Sequence, residues 1–371
     1  MSFSKVIRKE INDCEPYIAG ESEAAVRQRY GITNVVKLGS NENPFGPFDN
    51  AKKAMVDSIN IVNRYPEDDF LDLKKNLARK HHVQVENVAV GSGAGNVLEI
   101  LSKVFLNEGD EVLLGKQSYR LYKEISKMMG AVVKEIPLTD DYKFDLNQFR
   151  ENITPKTKLI WICNPNNPTS TVVDPKELED FIESLPTNVA IVVDEAYADF
   201  SDQRNLPNLT KYINQKKLVI VRTFSKFYGL AGVRIGYAVA DQDIIQAYDT
   251  TTEPFSVSRT ALAGANASLT KDSQAAEDIK NLFSSEKVRL TNELSALGLV
   301  AIESETNFLF VKCELKGSIV AEELMKKGVI VRDCTPWDYA NHIRVTLGTK
   351  QENDTFIERL AEVLTENMIS K

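Results

Sequence analysis

Thr223-Phe224-Ser225-Lys226-Phe227-Tyr228-Gly229-Leu230-Ala231-Gly232-Val233-Arg234 follows directly on Leu218-Val219-Ile220-Val221, an apolar, β-branched run of the kind a buried strand uses. The hydroxyls and the lysine therefore sit where a strand gives way to a turn. Two hydroxyls, a lysine and an arginine, with Gly229 and Gly232 among them, can hold a phosphate and leave an amine free to react. The plainer reading is a strand followed by a solvated basic turn. What the neighbouring strands bring to the same place decides between the two.

Upstream, Val189-Ala190-Ile191-Val192-Val193 ends in Asp194-Glu195-Ala196-Tyr197. A carboxylate at the end of an apolar strand is costly to bury without a cationic or hydrogen-bonding partner, so Asp194 calls for a specific neighbour. Lys158-Leu159-Ile160-Trp161-Ile162-Cys163 ends in Asn164-Pro165-Asn166-Asn167-Pro168-Thr169. Asn87-Val88-Ala89-Val90 leads into Gly91-Ser92-Gly93-Ala94-Gly95-Asn96, after which Val97 to Leu106 has helical spacing. A glycine-rich turn opening a helix aims free N–H groups and the positive dipole end at one spot, a setting for phosphate. It matches neither the Walker pattern nor the dinucleotide fingerprint, which would need a glycine at Asn96. With strand candidates at Glu111 to Leu114 and Ala131 to Ile136 around the helix Tyr119 to Met129, the order strand, helix, strand predicts a largely parallel α/β sheet. Ligands bind outside the carboxyl ends of such strands, and here four strands carry polar groups to those ends.

The 371 residues suit about two domains. With 43% apolar and 26% charged residues the chain reads as an ordinary globular protein. A net charge of −8 offers no basic footprint for nucleic acid or anionic lipid, which points to small-molecule partners. Cys14, Cys163, Cys313 and Cys334 show no CxxC spacing, and His81, His82 and His342 sit in no ligand pattern. Reduced thiols and no metal site are therefore expected. No apolar run approaches a membrane span and Met1 to Asp13 has no signal-like core; a cytoplasmic location is expected.

From about Asn266 the pattern changes to a long charged helix followed by short strands at Leu299 to Ile302, Asn307 to Val311, Gly328 to Arg332 and His342 to Leu347. This predicts a smaller α+β domain to which the N-terminal arm contributes, giving 1–45 as the arm, 46–265 as the large domain and 266–371 as the small one. In His342 to Leu347 a period of two turns Ile343, Val345 and Leu347 inward and Arg344 to the other face. Arg344 and Arg332 are either surface arginines or a grip for an anion. Thr349 and Glu352 form a predicted capping box for a helix carrying Phe356, Leu360, Val363 and Leu364 on one face.

Taken in order, Asn41-Glu42-Asn43-Pro44-x-Gly46-Pro47, Arg64-Tyr65-Pro66, Asn164 to Thr169, Asp194 to Tyr197, Thr223-x-Ser225-Lys226, Gly229 to Gly236 and Arg344-x-Thr346-x-Gly348-Thr349 resemble the fold type I pyridoxal-phosphate aminotransferases, in particular their histidinol-phosphate branch. The resemblance covers nearly the whole chain. It implies a large domain with a mostly parallel seven-stranded sheet sandwiched by helices, a smaller α+β domain, pyridoxal 5′-phosphate as cofactor, and a homodimer with shared active sites. By the same resemblance Lys226 forms the covalent link to the cofactor and moves the substrate proton, and Asp194 partners the pyridine nitrogen, which would answer its burial cost. Asn167 and Tyr197 would donate to the cofactor's phenolic oxygen and Tyr119 would stack on its ring. Ala94, Gly95, Thr223, Ser225 and Arg234 would hold its phosphate, with Tyr65 reaching it from the partner subunit. Arg344, together with Arg332, Tyr17 and Asn167, would bind substrate.

The implied reaction is transamination between histidinol phosphate and 2-oxoglutarate or glutamate in histidine biosynthesis. An aromatic amino acid aminotransferase and a phosphothreonine decarboxylase-type lyase share most of these motifs and remain alternatives. Two positions depart from the pattern: Ser170 stands where the loop usually has glycine, and Gln117 where proline usually precedes the stacking tyrosine. A positive φ at position 170 would strain serine by about 1 kcal/mol.

Overall fold

The computed structural model describes residues 6–16, 20–67, 69–215 and 217–369. Its strands, numbered along the chain, are β1 (Val36–Lys37), β2 (Val88–Gly91), β3 (Glu111–Gly115), β4 (Val132–Ile136), β5 (Thr157–Cys163), β6 (Ala190–Asp194), β7 (Leu218–Thr223), β8 (Gly236–Ala240), β9 (Val300–Ala301), β10 (Phe308–Lys312), β11 (Val329–Ile330), β12 (Arg332–Asp333) and β13 (His342–Thr346). The main sheet has seven strands in the order β2-β8-β7-β6-β5-β3-β4. The pairs among β3 to β7 are parallel, whereas β8 runs antiparallel to both its neighbours. The α/β expectation holds. Gly236 to Ala240 was not among the predicted strands, because this Gly-Tyr-Ala-Val-Ala run has neither alternation nor a rich β-branched content. It is nonetheless wholly buried, since neighbours cover both faces.

The middle strands β5 and β6 are apolar because they too are covered on both sides. Trp161 and Val192 lie opposite each other on them, each 1% exposed. Helices between strands start where the sequence supplies caps. In the helix Pro175–Ser184, Asp174 accepts from the N–H groups of Lys176 and Glu177, and proline takes the first turn, where its missing N–H costs nothing.

A second sheet, β12-β13-β10-β9, is antiparallel, and β1 pairs in parallel with β11 through Val36 and Val329. The N-terminal segment thus adds a strand beside elements nearly three hundred residues later. The capping box forms as expected: Glu352 N–H donates to Thr349 Oγ1 at 3.3 Å, and Thr349 N–H to Glu352 Oε2 at 2.7 Å. It opens the helix Lys350–Ile369, which buries Phe356, Leu360 and Val363 completely and Leu364 in part. Among the described residues no helix is long and apolar enough to cross a membrane.

Candidate functional site

The parallel register sets the first distances. Cys163 at the end of β5 lies opposite Asp194 at the end of β6, and Asp194 lies opposite Val221, two residues before Thr223. Three strand ends therefore open on one side of the sheet, beside the N-terminus of the helix Ala94–Phe105 that follows β2. They form the floor of a cavity of ≈ 480 Å³. Ala94, Gly95, Tyr119, Asn167, Asp194, Tyr197, Thr223, Ser225, Lys226, Arg234, Arg332 and Arg344 all line it. Among the described residues to which the resemblance assigns cofactor or substrate, Tyr65 alone does not. It is 75% exposed and stacks on Phe255 with centroids 4.6 Å apart. Tyr17 lies outside the described residues.

Asp194 is 3% exposed. Its Oδ2 accepts from the Tyr122 hydroxyl at 2.7 Å and its Oδ1 from Ala196 N–H at 3.1 Å. Burial pushes its carboxyl up to about 6, against the pull of those two donors. Tyr122 is itself held by stacking on Trp161, centroids 5.4 Å apart. Sequence reading passed over Tyr122, whose ring meets that of Tyr119 edge-on with centroids 5.5 Å apart. The Cys163 thiol beside them is pushed up to about 12 by burial, which leaves it a neutral wall.

Lys226 Nζ donates to the Ser40 carbonyl at 3.1 Å. Desolvation, then the positive charges of Arg344 and Arg234, lower its ammonium from 10.5 to about 8, so a far larger fraction is a free amine near neutrality than for an exposed lysine. Arg344, only 6% exposed, is not a surface residue. It donates to Asn167 Oδ1 at 2.6 Å and to the Gly39 carbonyl at 2.7 Å, and it lies over the Phe308 ring. Arg332 is its cross-strand partner and lies over Trp337, so two guanidinium groups face the same space.

At the other end Gly93 caps the helix Ala94–Phe105 with φ 87° and no side chain. A Cβ there would lie 2.4 Å from Arg234 Nη2, so only glycine lets the guanidinium close on the helix start. Arg234, itself at φ 57°, donates to Ser225 Oγ at 3.2 Å. First-turn N–H groups, two hydroxyls and one arginine make a cradle for a phosphate-sized anion. Beneath the strand ends, Arg222 pairs with Glu195 at 2.6 Å, and Lys80 bonds Asp199 at 2.8 Å and Tyr228 at 2.6 Å. This network clamps the residues flanking Asp194 and Lys226.

The loop after β5 answers the Ser170 question. Ser170 has φ 65° and is wholly buried, with its hydroxyl donating to the Thr169 carbonyl at 2.5 Å. The strained conformation is thus adopted by serine, at a cost of about 1 kcal/mol. Gln117, the second departure, accepts the Leu138 N–H through its side chain at 3.1 Å, a bond proline could not make.

The profile of the aminotransferase class I and II family matches residues 33–360. A histidinol-phosphate aminotransferase of Caldicellulosiruptor saccharolyticus is 37% identical over 360 residues, 97% of this chain and 100% of that protein. One from Moorella thermoacetica is 36% identical, covering 96% of this chain and 92% of its own length. Among solved structures, that of histidinol-phosphate aminotransferase from Sinorhizobium meliloti in complex with pyridoxal-5′-phosphate superposes with a TM-score of 0.90 at 26% identity, covering 98% of this chain and 99% of that one.

Proposed function

The chain belongs to the class I and II aminotransferases, and on that premise we propose that it moves the amino group of histidinol phosphate onto 2-oxoglutarate, with pyridoxal 5′-phosphate as its cofactor. The observation that carries the proposal is the meeting in one cavity of a lysine with a lowered pKa, a buried carboxylate, an anion cradle and two arginines. Full-length relatives of this name supply the substrate.

The donor set fits the cofactor. Gly93 and Arg234 close the cradle for its phosphate, Asp194 answers a protonated ring nitrogen, and Tyr119 offers a ring face. When bound, the cofactor supplies an electron sink for the charge left as the substrate α-proton is removed. Lys226 holds and moves that proton, its lowered pKa keeping it ready as a base. Asp194, aimed by Tyr122 and Ala196, would hold negative charge for the protonated ring nitrogen. Asn167 gives its oxygen to Arg344, which leaves its NH₂ to donate into the cavity. Arg344 and Arg332 take the anionic groups of the substrates, bidentate recognition being what a guanidinium does best.

The homodimer belongs to the same proposal. Val56, Ile59, Ile61, Val62, Tyr65 and Phe255 are 41% exposed or more, and Tyr65 stacks on Phe255 outside the cavity; exposed apolar side chains in such number mark an interface. A second subunit seated there would cover it and bring Tyr65 to the neighbouring phosphate cradle. The two-domain division is proposed with its second break near Lys271, since residue 266 lies inside the helix Arg259–Thr270. A cytoplasmic location fits four free thiols, three of them buried. The proposal is tested by following glutamate formation from histidinol phosphate and 2-oxoglutarate; preferential use of phenylalanine would replace the substrate.

A further inference from the structure

Three consecutive residues of the segment entering the site each meet a different functional side chain. Gly39 O accepts from Arg344, Ser40 O from Lys226, and Asn41 Nδ2 donates to the Tyr197 hydroxyl oxygen at 3.0 Å. The third contact differs in kind, because here the segment is the donor, and its acceptor is a hydroxyl that still has a proton to give. Asn41 is 1% exposed at φ 55°, a left-handed conformation that asparagine tolerates.

Its amide orientation follows from Thr346. That hydroxyl accepts the Asn41 backbone N–H at 2.9 Å and donates to Asn41 Oδ1 at 3.2 Å. Flipping the amide would set its NH₂ against the hydroxyl hydrogen. Asn307 fixes the backbone by donating to the Asn41 carbonyl at 3.1 Å. The Tyr197 ring is pinned edge-to-face on Phe308, centroids 5.1 Å apart, so only its O–H torsion is free.

We propose that Asn41 is a positioning residue that sets the direction of the Tyr197 proton. By donating to the phenol oxygen it prevents Tyr197 from donating back, and it turns the O–H toward the cavity, where the phenolic oxygen of the cofactor accepts it. Burial keeps Tyr197 protonated, which suits a donor. The inference rests on the reading of Tyr197 as a donor to the cofactor, and the test separates the two.

Donation to a phenolate oxygen withdraws charge from the neighbouring protonatable nitrogen, so losing it raises the pH midpoint of the bound cofactor's absorbance. That midpoint, together with cofactor affinity, is measured in the holoenzyme with Tyr197→Phe, Asn41→Gly and the double variant; glycine keeps the left-handed backbone. Tyr197→Phe should raise the midpoint. Asn41→Gly should raise it by about one pH unit, the size of one hydrogen bond, and should add nothing in the Tyr197→Phe background. Asn41→Asp keeps the shape and the tolerated φ but accepts the Tyr197 proton; it should raise the midpoint more when Tyr197 is present than when phenylalanine replaces it. Equal shifts of the Asn41 variants in both backgrounds, or none, would overturn the role of Asn41. An unmoved midpoint in Tyr197→Phe alone would overturn the reading of Tyr197, and this inference with it.

Discussion

Arg344 Nη1 donates to Asn167 Oδ1 across 2.6 Å, joining β13 of the small sheet to the loop that follows β5 of the main one. One contact both orients the Asn167 amide and holds a buried guanidinium at the wall of the cavity. Arg344→Ala should therefore raise KM for glutamate strongly and cut kcat/KM by about 100-fold or more. Arg344→Lys should recover little, because an ammonium cannot keep the Asn167 and Gly39 bonds and still grip a carboxylate in bidentate fashion. Steady-state kinetics check this; an unchanged KM would remove Arg344 from substrate binding.

Lys226→Ala should give a folded protein that binds the cofactor without covalent attachment and has no measurable turnover. In the wild-type apoprotein the amine should capture pyridoxal phosphate with a rate that climbs as pH rises through about 8, the value to which burial and the neighbouring arginines bring it. Stopped-flow absorbance reads the profile. A midpoint near the ordinary lysine value would mean that the lysine is not desolvated.

Asp194 gives the opposite sign. Burial raises its folded-state value from 3.8 to about 6, so the folded apoprotein holds this proton more tightly than the unfolded chain. The associated stability is fully present below about 4 and is lost as pH rises through about 6. Asp194→Asn should then stabilise the apoprotein at pH 8, by no more than a few kcal/mol, and the gain should vanish toward pH 4. The same variant should lose activity by roughly 100-fold or more, since the negative charge that would answer the ring nitrogen is gone. Thermal melts of the apoprotein across pH test the first part and kinetics the second; a pH-independent difference in Tm would contradict the linkage.

The proposed shared site makes a mixing experiment decisive for assembly. Tyr65→Ala and Lys226→Ala homodimers should each be impaired. A refolded equal mixture should regain about a quarter of wild-type sites, because half the dimers are mixed and each of these holds one intact pair. Activity no higher than the mean of the two variants would place Tyr65 outside the partner's site.

Much of this could be read from the chain because strand ends are written locally. The apolar runs before Asn164, Asp194 and Thr223 are buried on both faces, so composition alone announces them. Asp194 stands directly after such a run, and Lys226 in the turn that follows another. What escaped depends on long-range packing. β8 is a strand because β2 and β7 flank it, which its own five residues do not encode. Tyr122 matters through Asp194, 72 positions away, and Asn41 through Tyr197, 156 positions away. For Arg344 the alternation gave its face, whereas its burial came from Asn167 and Gly39 on other elements. Tyr65 lies outside the cavity of its own chain, so no single subunit can display the role that the resemblance implies for it.

The measurement that bears most directly on the central claim is the absorbance spectrum of the purified, cofactor-loaded protein before and after adding histidinol phosphate, phenylalanine or O-phosphothreonine, each without a keto acid. Stoichiometric conversion of the bound cofactor to its pyridoxamine form by histidinol phosphate, at concentrations where the other two leave the spectrum unchanged, is the expected result. Conversion mainly by phenylalanine would assign the chain to aromatic amino acids, and no spectral band from bound pyridoxal phosphate, even after its addition, would contradict the cofactor itself.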